Sequence, residues 1–402
     1  MKAEYVVLRS SRPSARTSLF MGGGLSNFPV SARTTKLNVV VENAMLDAAS
    51  IESMPGDESI MFAPVMPMKL IEGLSSQAAP QEAGVAWGVA AVGAAESPFQ
   101  GDGVVVAVLD TGIDRSHPAF ANMSILEQDF TSSGVSGDVH GHGTHCAGTI
   151  FGRDVDGFRI GVAPGVKRAL IAKVLGPGGG RSDQIVRAVE WAVEHGANVV
   201  SMSLGIDFLG YQKNLMEVES LPSELATSRA LEAYRVNVIL FERLAGLVAA
   251  KADFGQMTLL IAAAGNESRT HQDARFKIAV GPPAVSSGFI SVAALERTEE
   301  GLVRAFFSNT GADIAAPGVG ITSAKLGGGL APMDGTSMAT PHVAGVAALW
   351  AEKLKETGNV DQLIWRTRLL GSATDAGLSS QFEAKDVRFG LVRAPRTRKG
   401  FV

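Results

Sequence analysis

A doubly wound α/β fold, a mostly parallel sheet flanked by helices and preceded by a small α+β unit, follows from two features of the chain. Four near-continuous apolar runs, "GVVVAVLD" at 103–110, "RALIAKVL" at 168–175, "ANVVSMSL" at 197–204 and "MTLLIAAAG" at 257–265, have the texture of strands buried on both faces. Helical patterns lie between them, and strand–loop–helix alternation of this kind builds a parallel sheet through right-handed crossovers.

Taken in order, residues 1 to about 77 have a different texture from the rest. "EYVVLR" and "KLNVVVE" read as short strands, "DAASIESM" as a helical turn or two, and "ESIMFAPVMPMKLIE" as a strand broken by Pro64 and Pro67. The small, polar, proline-containing "GLSSQAAPQEAG" at 73–84 reads as a linker. Within the larger unit, "SDQIVRAVEWAVEHG" is an amphipathic helix with an N-cap expected at Ser182 or Asp183 and Gly196 where a C-cap belongs. Residues 206–257 form an insertion dominated by one long helical pattern, read as a longer crossover rather than a lid or a partner surface.

Composition narrows the function. The 402 residues are 46% hydrophobic and 19% charged, with a formal net charge of -4. Nothing there attracts a phosphate backbone or an anionic lipid surface, so no nucleic-acid or membrane partner is expected. The single cysteine, Cys146, rules out an intrachain disulfide and a cysteine-based zinc cluster. The N-terminus has no apolar core of signal-peptide length, which points to a cytoplasmic protein or one exported by a non-standard route.

In an open parallel sheet, ligands gather where strands end and helices begin. Asp110 ends the first apolar run, in "VLDTGID"; by itself it reads as a turn or cap residue. His142 stands among small residues in "GHGTHCAGTI"; the neighbouring His140 and His145 raise a metal site, but the carboxylate that zinc motifs place between paired histidines is missing. Ser337 precedes an apolar helical run in "GTSMATPHVAG", with Pro341 expected in a first helical turn and an N-cap as the plainer role for the serine. Together the three supply an orienting carboxylate, a general base and a nucleophile in the positive field of a helix N-terminus.

With these motifs, "VAVLDTGID", "HGTHCAGT" and "DGTSMATPHVAG", the sequence resembles the subtilisin-like serine protease family, and the chain order Asp, His, Ser belongs to that resemblance. It implies a subtilisin-like fold and a serine endopeptidase acting on polypeptides through an acyl-enzyme. It makes Asn266, in "IAAAGNES", the side-chain donor of an oxyanion hole. "VLGPGGGRSDQ" and "SMSLG" are similar to the two segments that hold an extended substrate, which implies binding roles for Gly178, Gly179, Gly180, Ser203, Leu204 and Gly205, with Gly265 beside the primary pocket. An apolar side chain is expected there.

The similarity runs from about Trp87 to Trp350 and more loosely beyond. Residues 1–77 then resemble the family's prodomain with its linker, and 78–402 its peptidase domain, so the chain's own N-terminal unit is an expected partner and the protein a self-processing precursor. No cofactor is required by the resemblance. Structural calcium is common in the family, but Ala119 in "SHPAF" stands where a usual ligand would, and Asp154 and Asp156 in "GRDVDG" read as solvated, so no metal ligand is assigned. His145, His342 and Asp114 lie inside motifs without a catalytic place. Cys146 reads as a small buried hydrophobe close to His142, where a thiol reagent would displace the imidazole. Two rivals stand beside the protease: a peptide-binding protein locked by its own N-terminal unit, and a nucleotide-binding doubly wound enzyme, whose "GPGGG" would cradle phosphate but lacks the Gly-Lys-Ser/Thr ending.

Overall fold

The computed structural model describes residues 3–11, 38–47, 50, 60–76, 84–131, 133–358, 361–380 and 382–397. All but one residue of the helix expected at 47–54 beyond Asp47, most of the linker, and the basic tail from 398 onward lie outside them.

The N-terminal unit is a three-stranded antiparallel sheet in which β1 (Ala3–Ser11) sits between β2 (Asn38–Leu46) and β3 (Ile60–Pro64). Val6 and Leu8 of β1 and Ala63 of β3 bury one face of it. Pro64 and Pro67, which cannot donate to a ladder, bound the break before β4 (Pro67–Leu70). That short strand leaves the unit altogether and pairs with the large one.

The large unit is built on an eight-stranded sheet. Its strands are β5 (Val105–Asp110), β6 (Ser124–Asp129), β7 (Arg168–Lys173), β9 (Val199–Met202), β11 (Leu259–Ala263), β12 (Phe289–Thr298), β13 (Gly301–Arg304) and β14 (Ile314–Pro317). The order β13-β12-β11-β9-β5-β7-β6, with β14 beside β12, is parallel except for the β12–β13 pair. The four apolar runs of the sequence are β5, β7, β9 and β11, the centre of the sheet, where both faces are covered and no polar alternation is needed. Two further short strands, β8 (Gly180–Arg181) and β10 (Leu204–Ile206), stand apart from the sheet.

Helices α1 (Trp87–Ala91), α2 (His142–Phe151), α3 (Ser182–Glu194), α4 (Phe208–Glu217), α5 (Ser223–Ala250), α6 (Thr336–Glu356) and α7 (Gln362–Leu370) surround it. Every residue of α6 from Thr336 to Leu349 is buried, the signature of a helix threaded through a core rather than laid on it. No helix among the described residues is long and apolar enough to cross a membrane.

Three local expectations are corrected. Ser182 and Asp183 are the first residues of α3, not its cap; the Ser182 hydroxyl accepts the Met66 N–H at 3.0 Å, and Asp183 takes Asn43 and Arg181. These side chains serve the N-terminal unit in place of their own helix. Pro341 is the sixth residue of α6, past the first turn. Its missing N–H strands the Ser337 carbonyl, which instead receives Ser203 Oγ at 3.3 Å and Cys146 Sγ at 3.4 Å. The insertion is a crossover, but it is also a surface for the N-terminal unit: buried Asn237 of α5 donates to the Pro64 carbonyl at 2.8 Å.

His145 and His342 are packing groups, wholly inside the core. His145 Nε2 lies 2.9 Å from the Ile321 carbonyl and His342 Nδ1 2.8 Å from the Met338 carbonyl. Burial depresses them from the ordinary 6.5 to about 3 and about 4 respectively. A base neutral when folded but protonated when unfolded contributes stability above pH 6.5 and loses it as the pH falls towards its folded value. At roughly 1.4 kcal/mol per pH unit and group, the pair withdraws on the order of 5 kcal/mol between pH 6.5 and 4. Thermal unfolding across that range therefore shows a steep drop in midpoint, and His342→Gln flattens it; a midpoint constant over the window contradicts the assignment.

Candidate active site

Asp110 is the last residue of β5 and fully buried, and His142 is the first residue of α2. They meet because the chain after β5 can touch the first turn of α2 without side chains between them. A Cβ on Gly143 would stand 2.2 Å from the Gly112 carbonyl, and Gly112 itself has φ of +113°. The result is a 2.8 Å contact between His142 Nδ1 and Asp110 Oδ1, with Oδ1 also receiving the Thr111 N–H at 2.7 Å. The carboxylate makes Nδ1 the protonated nitrogen in the neutral ring. His142 Nε2 is buried with no hydrogen-bond partner. Burial alone would lower the His142 pKa, but the Asp110 carboxylate and the adjacent Cys146 sulfur together outweigh it and hold the imidazole well above its ordinary value.

Ser337 is the second residue of α6 and also buried. Its hydroxyl does not reach His142; it donates to the Ile71 carbonyl at 2.5 Å. Cys146, one turn along α2 from His142, is 3.7 Å from His142 Nδ1. Burial pushes its thiol up, so it stays a protonated, apolar neighbour that ties His142 to the Ser337 backbone.

The carbonyl on Ser337 belongs to the N-terminal unit. β4 lies between β8 and β10 as the middle of a three-stranded antiparallel sheet, Met68 opposite Gly180 and Lys69 opposite Gly205. Ile71 N–H continues the ladder onto the Ser203 carbonyl at 3.2 Å. Beyond Ile71, Leu74 and Ser75 pair with Asp334 and Met333 of β16 (Leu330–Asp334), whose partner is β15 (Ile321–Ala324). The start of the supposed linker is therefore a strand in the cleft.

The expected binding residues divide. Gly180, Ser203, Leu204 and Gly205 all pair with this segment, and the Ile71 Cδ1 lies 3.8 Å from where a Gly205 Cβ would stand. A Cβ on Gly179 would be 2.6 Å from the Met68 carbonyl, so glycine is needed there too. Gly178 faces open space at the tip of the Gly176–Gly179 turn and is not part of either rail. A Cβ on Gly265 would meet Asn309 and Glu267, and its backbone bonds to Thr336 Oγ1 and the Asn309 N–H rather than to β4. Asn266 Oδ1 accepts from Thr336 N and Oγ1, both at 2.9 Å, which aims Nδ2 at the Glu72 carbonyl, also 2.9 Å away.

Reasoning from sequence missed Asp138 and Thr336, which aim the site without joining it. The signal for Asp138 was present, an Asp four residues ahead of a glycine-flanked helix start. Asp138 is 8% exposed and accepts from Thr111 Oγ1, the backbone N–H groups of His140, Gly141 and Thr144, and Thr144 Oγ1. Burial raises its carboxyl, yet these donors hold it below the ordinary value. It clamps the end of β5 to the start of α2.

Among the described residues, the one grouping of three metal-capable donors is Asp110, His142 and Cys146, within 4.8 Å of one another. Ala119, where the resemblance would put a calcium ligand, is fully buried and offers no side-chain oxygen. Asp154 and Asp156 are exposed. Asp138→Ala strips a buried anion's donors of their acceptor and is expected to cost about 3 kcal/mol. Urea unfolding measures it, and a loss below about 1 kcal/mol would remove Asp138 from this role.

The model of the Subtilase family matches residues 101–390, most of the large unit. An alkaline elastase of Bacillus sp. (strain YaB) is 36% identical over 321 residues, covering 77% of this chain and 69% of that protein. An intracellular serine protease of Paenibacillus polymyxa is 33% identical over 293 residues, 68% of this chain and 77% of its own length. Subtilisin E of Bacillus subtilis (strain 168) is 32% identical over 283 residues, 70% of this chain and 63% of its own. A match spanning the strands and helix starts that carry Asp110, His142 and Ser337 makes this chain a member of the subtilase family, a subtilisin-like serine endopeptidase.

Proposed function

We propose that the chain is a precursor that cuts itself between Ile71 and Glu72, with Ser337 as nucleophile, His142 as general base and Asp110 as the group that orients and stabilises the imidazole. The observation that carries this reading is β4, seated as a substrate strand between the two rails and delivering the Ile71 carbonyl to Ser337 Oγ at 2.5 Å. The Ser337 proton passes to His142 Nε2 as Oγ bonds to the Ile71 carbonyl carbon. Nε2 then returns it to the Glu72 nitrogen, the peptide bond breaks, and water releases the acyl-enzyme by the same proton path. The reaction uses only groups of the chain and water, and residues 1–71 become an inhibitory partner held by backbone pairing.

Contacts in the cleft divide between two bonds one residue apart. The Ile71 N–H on Ser203, the Ile71 side chain against Gly205 and Ser337 Oγ on the Ile71 carbonyl favour Ile71–Glu72. Asn266 Nδ2 on the Glu72 carbonyl favours the next bond. We adopt the first, since three contacts agree and one of them is the nucleophile's. Asn266 then shifts onto the Ile71 carbonyl as charge develops there, and the intact chain is held one adjustment short of reaction. Loss of such a donor typically lowers kcat about 10²–10³-fold, a size established on a subtilisin rather than on this chain.

Purified protein is expected to shorten on incubation to a chain beginning at Glu72, to hydrolyse peptides after aliphatic residues, and to lose both activities to a sulfonyl fluoride. Ser337→Ala stays intact and inactive; turnover in that variant ends the proposal, and an N-terminus at Gly73 moves the register by one residue. A chain that stays whole and binds peptides without cutting them is the locked peptide-binding protein instead.

The pH response has a definite sign. Only neutral His142 accepts a proton, and Asp110 holds its pKa well above 6.5. Self-cleavage therefore accelerates as pH rises, with a midpoint above 6.5, and Asp110→Asn lowers both that midpoint and the rate. A pH-independent rate contradicts the base. Mercurial labelling of Cys146, 3.7 Å from His142, is expected to abolish turnover, and full activity in labelled protein contradicts it.

A further inference from the structure

Glu267 follows Asn266 directly but has no part in the chemistry above. Its Oε1 lies 3.0 Å from Lys69 Nζ, both side chains a little over one-third exposed. Its Oε2 accepts from Asn309 Nδ2 at 2.7 Å. Asn309 is buried at 3% exposure, and its Oδ1 receives the backbone N–H groups of Glu267 and Ser268, both at 3.1 Å. The same Nδ2 also donates to the Ala264 carbonyl at 3.1 Å. Gly265 makes room for this arrangement, since a Cβ there would stand 2.5 Å from Glu267 Oε2 and 2.3 Å from Asn309 Nδ2.

A surface carboxylate ordinarily loses much of an ion pair's benefit to the entropy of holding its own side chain still. Here a buried amide has already fixed the carboxylate, backbone and head group together, at the rim of the cleft. Lys69 and Ile71 are two residues apart on an extended segment and share a face, so the cation meets Glu267 while the isoleucine meets Gly205.

We propose that Glu267, clamped by Asn309, is a specificity-determining residue that selects peptides with Lys or Arg two positions before the aliphatic residue at the cut. The inference rests on the reading of β4 as a seated substrate strand. It names a substrate class, a cation, any residue and then an aliphatic residue, and it explains why a lysine of the N-terminal unit lies in an otherwise apolar "MPMKLI".

The test uses the self-matured protein and three peptides, Met-Lys-Leu-Ile followed by Glu-Gly, and its analogues with Gln or Glu in place of Lys. The expected order of kcat/KM is Lys, Gln, Glu, with Lys ahead of Gln by about twofold to fivefold, the range an ion pair at a partly exposed rim supports. In Glu267→Gln the ratio of Lys to Gln falls to near one, and in Glu267→Lys the Glu peptide becomes the best of the three. Raising the salt to about 1 M compresses the wild-type ratio, because rim charges are screened. Each ratio is internal to one variant, so partial loss of folding does not mimic the effect. Equal rates for the three peptides, all cut after Ile, overturn the role of Glu267 alone. A Lys preference that survives in Glu267→Gln overturns it too. Failure to cut any of them after Ile overturns the seating of β4 and the proposal with it.

Discussion

The structure depends on one close approach, that of the end of β5 to the beginning of α2. Asp110 and His142 can share a 2.8 Å contact because Gly112 and Gly143 leave nothing between the two backbones. Such proximity of a strand end and a helix start would be costly if their polar groups were left unpaired. Asp138 and Thr111 take them up, so the approach is held by hydrogen bonds on both sides. An imidazole placed this way has one nitrogen committed and the other free, the condition a general base must meet.

The same economy governs α6. A proline in the second turn of a buried helix removes a donor where no water can replace it. The orphaned carbonyl is that of Ser337, and the groups that satisfy it, Ser203 and Cys146, belong to the segment paired with the N-terminal unit and to the helix of His142. The defect therefore becomes the joint at which three elements meet. Cys146 is accounted for in this way as a small buried donor, with no disulfide or metal needed.

The N-terminal unit shows how a cleft can be filled by generic and specific interactions at once. β4 is held as a middle strand through main-chain hydrogen bonds that any extended peptide could make. The unit is then made particular by side chains around it: Glu4 on Arg181 at 2.6 Å, Asn43 on Asp183 at 2.8 Å, and Asn237 of α5 on the Pro64 carbonyl. Most of these groups sit on α3 and α5. An insertion read from sequence as a crossover is thereby also a docking face, which its helical periodicity had no means of showing.

Much was legible in the chain. The β5, β7, β9 and β11 runs are apolar because both faces of a central parallel strand are covered, and a buried strand has no other way to look. Asp110, His142 and Ser337 each stand at the junction of such a run or helix with a loop, so spacing and residue type were enough to nominate them. What the chain could not show were contacts across long separations: Ser337 with Ile71, Asn237 with Pro64, Lys69 with Glu267. The linker reading of 73–84 failed at its start for that reason, since Leu74 and Ser75 form a strand only because β16 is there to pair with them. Local composition determines which segments are strands and helices and which residue types stand at their ends. Tertiary structure alone decided which carbonyl lies on Ser337, because that is set by the register of a strand whose partners lie more than a hundred residues away.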